Sequence, residues 1–354
     1  MKPLDPTDAW HVDEREFPRS GTAEQKLRFL LRYAILAPST HNTQPWRFHI
    51  DASTLDLYTD CDRSLPVSDP DNRELTISCG AALFNLRTAM NYFGCVGEAR
   101  PFPDPRRPQL LARATIEDDK TQESGWAELF KAITRRVTNR RPFLPEAAPP
   151  ALSAALREAA HVEGGWLATF STDRSKATVG YLVAKGDRIQ FEDPHFRREL
   201  ANWLTPPGRK EGLPAYARGA QQLLGFAAPA VAFLVRTFDV GTGVAARDRD
   251  LAVGSPLIAC LGTTRDTPLE WFNAGQALQR VLLLATAHGF HASFLNQPIE
   301  VAQLRGALGA LAEHKGYPQI LLRIGRGRTT PQHTPRRPLE EVLTVATHAQ
   351  ARAE

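Results

Sequence analysis

Between Thr22 and Pro38 the apolar residues Leu27, Leu30, Leu31, Ala34 and Ile35 recur at spacings of three and four, so one stripe of a helix faces a core. Thr22 with Gln25 three positions on is a capping-box pattern that sets the helix start, and Pro38 stops it. Downstream, "WRFHI" (46–50) and "LDLYTD" (55–60) flank the polar turn "DAST" and predict a pair of strands. The segment "ELTISCGAALFNLRTAMNYFG" (74–94) is apolar on nearly every face and predicts a buried helix; "PQLLARATI" (108–116) predicts a strand. Further on, "ALSAALREAA" (151–160) reads as a helix and "PAVAFLVR" (229–236) as a strand. A second buried helix, "EWFNAGQALQRVLLLATAHGF" (270–290), precedes the strand "PQILLRIG" (318–325).

The two buried helices and the strands that follow them match each other. Gly80 and Gly94 are 14 residues apart, as are Gly275 and Gly289, and Ala82-Leu83 answers Ala277-Leu278. The strand Pro108–Arg113 answers Pro318–Arg323, with 15 more residues separating helix from strand in the second copy. Buried helices also converge on Gly and Ala wherever they pack closely, but two matches in the same order point to a diverged internal repeat. The polar stretch "EDDKTQESG" places a boundary near 118–130, with halves at 1–120 and 125–354.

The 354 residues are 42% apolar and 23% charged, enough for one large or two smaller cored domains. Net charge is +4, and the arginines concentrate at 135–141 and 323–337. No basic face with interleaved aromatics accompanies them, so the clusters suggest sockets for a small anion rather than a nucleic-acid surface. Cys61, Cys79, Cys95 and Cys260 have neither zinc nor disulfide-scaffold spacing and read as free thiols. The N-terminus lacks an apolar leader core and no run has the length of a membrane span, which leads us to expect a cytoplasmic protein. His288 and His291 lack an obvious third metal ligand, and neither a dinucleotide-binding glycine fingerprint nor a P-loop is present.

Two stretches carry candidate chemistry. "APSTHNTQPW" (37–46) packs Ser39, Thr40, His41, Asn42, Thr43 and Gln44 between two prolines, more hydrogen-bonding groups than a turn needs. "RRVTNRRPF" (135–143) holds the first of the two arginine clusters, a candidate socket for a small anion. Together with "GAALFNLRTAMNYFG", "QALQRVLLLATAHGF" and "TPRRPLEEVL", these stretches resemble the FMN-dependent nitroreductase superfamily, most closely its Acg-like branch, in which two nitroreductase-like halves are fused. The likeness covers most of residues 20–345.

The resemblance implies an α+β nitroreductase-like fold duplicated in one chain, a pseudo-dimer of mixed sheets flanked by helices. Such a chain is a monomer resembling a dimer, with further pairing left open. The resemblance also implies FMN at the junction of the halves, gripped by Arg136, Thr138 and Arg140, with Arg336 and Arg337 as a second basic pair. Pro298, Ile299 and Glu300 would run past the reactive face of the ring. Pro38, Ser39, Thr40, Asn42 and Gln44 would reach the flavin from the other half. Because each half keeps only one complementary piece, one site per chain is expected.

A bound flavin supplies the redox chemistry, so no protein nucleophile is needed; Arg140 is the candidate stabiliser of negative charge on the reduced ring. The implied activity is electron transfer from NADH or NADPH through FMN to a flat acceptor such as a nitroaromatic or quinone. The alternative is a flavin-sequestering protein with little turnover. It draws on residues 193–219, a Pro/Gly-rich insertion that is either a surface connection or a lid over the flavin.

Overall fold

The computed structural model describes residues 8–95, 97–117, 125–206, 209–214, 235–237 and 241–347. Helix α1 (Ala23–Ala34) starts at the expected capping box: Thr22 accepts from Gln25 N and the Gln25 side chain accepts from Thr22 N. Strands β1 (Trp46–Asp51) and β2 (Thr54–Thr59) form the expected antiparallel pair. Helix α2 (Arg73–Phe93) is buried along nearly its whole length and ends at Gly94, whose φ of 73° is left-handed and suits glycine. Strands β3 (Ala99–Pro101) and β4 (Leu110–Thr115) complete a sheet of order β11-β1-β2-β4-β3. Its outermost strand, β11 (Leu343–Val345), arrives from the far end of the chain and pairs parallel with β1.

The second sheet has the order β5-β8-β10-β9, from β5 (Trp166–Phe170), β8 (Leu257–Thr263), β9 (His291–Phe294) and β10 (Tyr317–Gly325). Its order and antiparallel sense repeat those of β1-β2-β4-β3. Among the described residues only the first sheet is mixed, where the expectation was mixed sheets in both halves. Helix α8 (Pro268–Ala287) stands to the second sheet as α2 stands to the first, and the two helices cross in direct contact. At the crossing a Cβ on Gly80 would lie 2.1 Å from Phe272 O, and one on Gly275 would lie 2.0 Å from Ile77 O. The pair of glycines that marked the repeat is therefore the point where the helix backbones touch, with no room for a side chain.

Between α2 and α8 in sequence lie α3 (Trp126–Ile133), α4 (Pro150–Val162), α5 (Asp173–Glu192), α6 (Pro194–Asn202) and α7 (Gly241–Val253). Although α3 follows the expected boundary, its Leu129, Phe130 and Ile133 join the core built from α1, α2 and the first sheet. Two short helices, α9 (Gln297–Glu300) and α10 (Ala302–Leu311), connect β9 to β10. The described part of the expected insertion holds α6 and a two-strand parallel ribbon, β6 (Leu204–Thr205) with β7 (Leu213–Pro214); residues 207, 208 and 215–219 lie outside the described residues. The strand expected at 229–236 also lies outside them, except for residues 235 and 236, which are helical.

Candidate flavin site at the junction of the two sheets

The loop after α1 is held in an unusual backbone. His41, Asn42 and Gln44 have φ of 51°, 58° and 52°, the left-handed region that side-chain-bearing residues enter only when surroundings impose it. The surroundings are explicit. Gln44 N donates to Ser39 Oγ at 2.9 Å, and Thr40 Oγ1 donates to Glu74 Oε2 at 2.7 Å. Asn42 Nδ2 donates to Gly212 O at 3.2 Å and Pro335 O at 3.1 Å. Gln44 Nε2 donates to Lys210 O at 2.8 Å, while its Oε1 accepts from Arg337 N at 2.8 Å. The polar packet thus fastens the insertion and the C-terminal segment to the first half. This differs from the expectation that Asn42 and Gln44 present their amides to a ligand: both amides are engaged by protein.

Arg336 is part of the same fastening. Its Nε donates to Ile35 O at 2.8 Å, its Nη2 to Leu36 O at 3.1 Å and Ala37 O at 3.0 Å, and its Nη1 to Asn42 Oδ1 at 3.0 Å. A cation set on the carbonyls of the turn that follows α1, just ahead of Pro38, satisfies buried acceptors there and complements the negative pole of the helix. Arg337 is likewise engaged, with Asp60 at 3.4 Å and the Glu341 carbonyl at 3.2 Å. The expected second basic pair therefore holds protein oxygens.

Arg136 is different. It is 5% exposed, and the one hydrogen bond of its guanidinium to a described residue runs from Nη2 to Leu36 O at 3.2 Å; its buried Nε has no partner among them. Burial, reinforced by Arg140, lowers its pKa to about 10. Beyond it, Thr138 bridges to Ala292 on β9, and Asn139 N donates to Ala292 O at 3.0 Å. Arg323, 1% exposed on β10, holds this segment by donating to the carbonyls of Asn139 at 2.9 Å and Arg141 at 3.1 Å. Half-buried Arg140 has its pKa lowered to about 10 by burial, against the attraction of Asp248. Asn139 Nδ2, Arg323 Nε and His291 Nδ1 also lack partners among the described residues, so polar nitrogens converge here without acceptors to match.

At the other side of the junction, Pro298 and Ile299 are buried in α9. Glu300 accepts from Gln190 Nε2, and burial together with neighbouring Glu74 raises its pKa well above the usual carboxylate range. Asn296 Nδ2 donates to Glu74 Oε1 at 3.1 Å, so Glu74 joins this segment to Thr40. The structure thus brings the clasp loop, Arg136 and the Pro298–Glu300 segment into one region. It adds Trp10 and His333, which sequence reading missed. Trp10 lies with its ring centroid 5.8 Å from Arg136 Cζ and 4.7 Å from Arg336 Cζ, and it stacks on His333. Only the choice of a bulky aromatic near the N-terminus hinted at it.

No protein-family model matches the chain. Rv3131 of Mycobacterium tuberculosis H37Rv, named as an NAD(P)H nitroreductase, is 34% identical over 334 residues, 92% of each chain. The acg protein of the same organism, also named as an NAD(P)H nitroreductase, is 28% identical over 339 residues, 93% of this chain and 98% of that one. Among solved structures, the FMN and NADPH-dependent nitroreductase NfnB of a Sphingopyxis-type strain, HMH, aligns with a TM-score of 0.42 at 20% identity, over 62% of this chain and 99% of that one. Residue identity along nearly the full length with Rv3131 settles the affiliation: the chain belongs to the nitroreductase superfamily, with the Acg-like proteins.

Proposed function

We propose that the chain is an FMN-dependent oxidoreductase, built as two fused nitroreductase-like halves that share one flavin. The observation that carries this reading is the buried Arg136 guanidinium, with no carboxylate beside it and its Nε donor unpartnered among the described residues. An unpaired buried cation costs several kcal/mol, on the order of 3–5, and a phosphate monoester removes that cost with charge-assisted bonds. The matching strand orders and the Gly80–Gly275 crossing support the fused pseudo-dimer, and β11 lying on the first sheet supports exchange of segments between the halves.

In this reading Arg136, Thr138 and Asn139 hold the phosphate end, and Arg140 holds charge at the pyrimidine edge. Pro298 and Ile299 present backbone and apolar surface to the ring. Arg336 and Arg337 keep Pro38, Ser39, Thr40, Asn42 and Gln44 in the one conformation that completes the opposite wall. A flavin held there would supply the redox chemistry, hydride from NADH or NADPH in and electrons out to a flat acceptor such as a nitroaromatic or quinone. The chain's own residues bind and orient it, and the α2–α8 core keeps the walls rigid.

A second reading, a flavin-sequestering protein with little turnover, draws on the insertion. Gly212 and Lys210 are bonded to Asn42 and Gln44, Glu211 pairs with Arg63, and Glu199 accepts from Val67 N and Ser68 N, both at 2.9 Å. Anaerobic mixing with NADPH, and separately NADH, distinguishes the two. Bleaching of the flavin absorbance within seconds supports the oxidoreductase. Bleaching by dithionite alone supports sequestration.

A further inference from the structure

Beside α1 lies a pocket lined by none of the residues assigned to the flavin, so what it binds is independent of the flavin reading. Helices α1 and α3 and the 3-10 turn Glu14–Glu16 border a cavity of about 380 Å³, a size that suits a small organic molecule. Tyr33 of α1 and Phe130 of α3 form its floor, 1% and 2% exposed, with ring centroids 4.8 Å apart. Phe130 stacks in turn on Tyr92, with centroids 3.8 Å apart, so the floor is braced from behind. Exposed Lys131 and Arg135 stand on the rim, and Arg135 Nε donates to Lys131 O at 2.9 Å, which keeps the two cations together. Glu14 also lines the pocket and is held by Tyr92, whose hydroxyl donates to Glu14 Oε2 at 2.7 Å.

One atom of the floor points to a ligand. Tyr33 Oη is buried and has no hydrogen-bond partner among the described residues, whereas buried hydroxyls are nearly always bonded. Burial, and then the charge of Glu14, raises the Tyr33 pKa above its ordinary value, so the phenol keeps its proton and can both donate and accept. We propose that this pocket binds a small hydroxylated aromatic carboxylate, with its ring on Tyr33, Phe130 and Val12, its carboxylate at Lys131 and Arg135, and its hydroxyl bonded to Tyr33 Oη. Each part of the ligand answers a part of the wall. The aromatic floor favours a ring, which packs offset or edge-on against Tyr33 and Phe130. Two cations face one carboxylate that Tyr92 already engages, so the rim carries net positive charge and draws an anion. Glu14 repels that anion toward the cation side, and the neutral hydroxyl end is left to the Tyr33 phenol.

The test is calorimetric titration of the full chain with 4-hydroxybenzoate, benzoate and phenol, for the wild type, Tyr33→Phe and the double variant Lys131→Ala with Arg135→Ala. The wild type takes one 4-hydroxybenzoate per chain and binds benzoate and phenol about tenfold more weakly. Tyr33→Phe, which keeps the ring and removes the hydroxyl, weakens 4-hydroxybenzoate by about tenfold and leaves benzoate unchanged. The double variant weakens both acids by about tenfold and leaves phenol unchanged. Because Lys131 and Arg135 are exposed, that variant supplies the readout should Tyr33→Phe fail to fold. No saturable binding in the millimolar range, or a 4-hydroxybenzoate affinity unchanged in either folded variant, overturns the proposal. Binding that FMN displaces and neither variant weakens overturns it too, since it reports the flavin region, and it leaves the flavin reading intact.

Discussion

Two arginines that sequence reading placed in one role differ in what surrounds them. Arg336 directs its donors at the end of α1 and at Asn42, whereas Arg136 is buried with one carbonyl partner among the described residues. Their substitutions should therefore separate. Arg336→Met leaves the Ile35 and Ala37 carbonyls and Asn42 Oδ1 without the donor that Arg336 supplies, and we expect a loss of about 2–4 kcal/mol in urea unfolding of the flavin-free protein. Arg136→Met removes a buried charge that has no carboxylate partner among the described residues, so unfolding of the flavin-free protein should be unchanged or require more urea. FMN affinity should instead fall about 10- to 100-fold, the worth of roughly 1.5–3 kcal/mol for a charged hydrogen bond. The polar loop and the arginine clusters were legible in the sequence because such side chains are out of place in a plain turn. Their partners were not, since Arg336 and Asn42 are 294 residues apart and only the folded chain decides which oxygen meets which donor.

Helices and strands follow the apolar spacing closely, because α1 has one buried stripe and α2 and α8 are enclosed between sheets. What spacing did not disclose is the role of Gly80 and Gly275. A repeat made them visible, but only the crossing explains them: each stands where the other helix's backbone would meet a Cβ. Gly80→Ala or Gly275→Ala should separate the helices and cost about 1–3 kcal/mol or more in thermal or urea unfolding. Gly306→Ala is the control. It lies inside α10 with nothing within 4 Å of an added Cβ, and should be neutral or stabilising by up to about 1 kcal/mol. Short elements were hardest to read. β11 is three residues long, and its place on β1 depends on a chain reversal that no local pattern encodes.

Over the whole molecule, α5, α7 and the start of α9 meet where buried Asp187 faces half-buried Asp248. Gln297 Nε2 donates to Asp187 Oδ1 at 3.0 Å and to Asp248 Oδ2 at 3.2 Å. Burial, and then the charge of Asp248, raises the Asp187 pKa from 3.8 to about 8. The unfolded chain releases that proton near 3.8 while the folded chain keeps it, so this pair makes stability decline as pH rises from about 4 to 8. Asp187→Asn should flatten that decline and raise stability at the alkaline end, as followed by urea unfolding across the range. The fold class was readable from sequence because apolar spacing leaves a local pattern; the balance of charges inside the junction depends on distances that sequence does not contain. In the proposed reading this junction holds a single flavin through Arg136. The most direct test is flavin stoichiometry from absorbance and protein concentration after gel filtration of FMN-saturated wild type and Arg136→Met. One FMN per wild-type chain, with loss of most of it from the variant, is the predicted result. Two per chain, none, or full retention by Arg136→Met would contradict it.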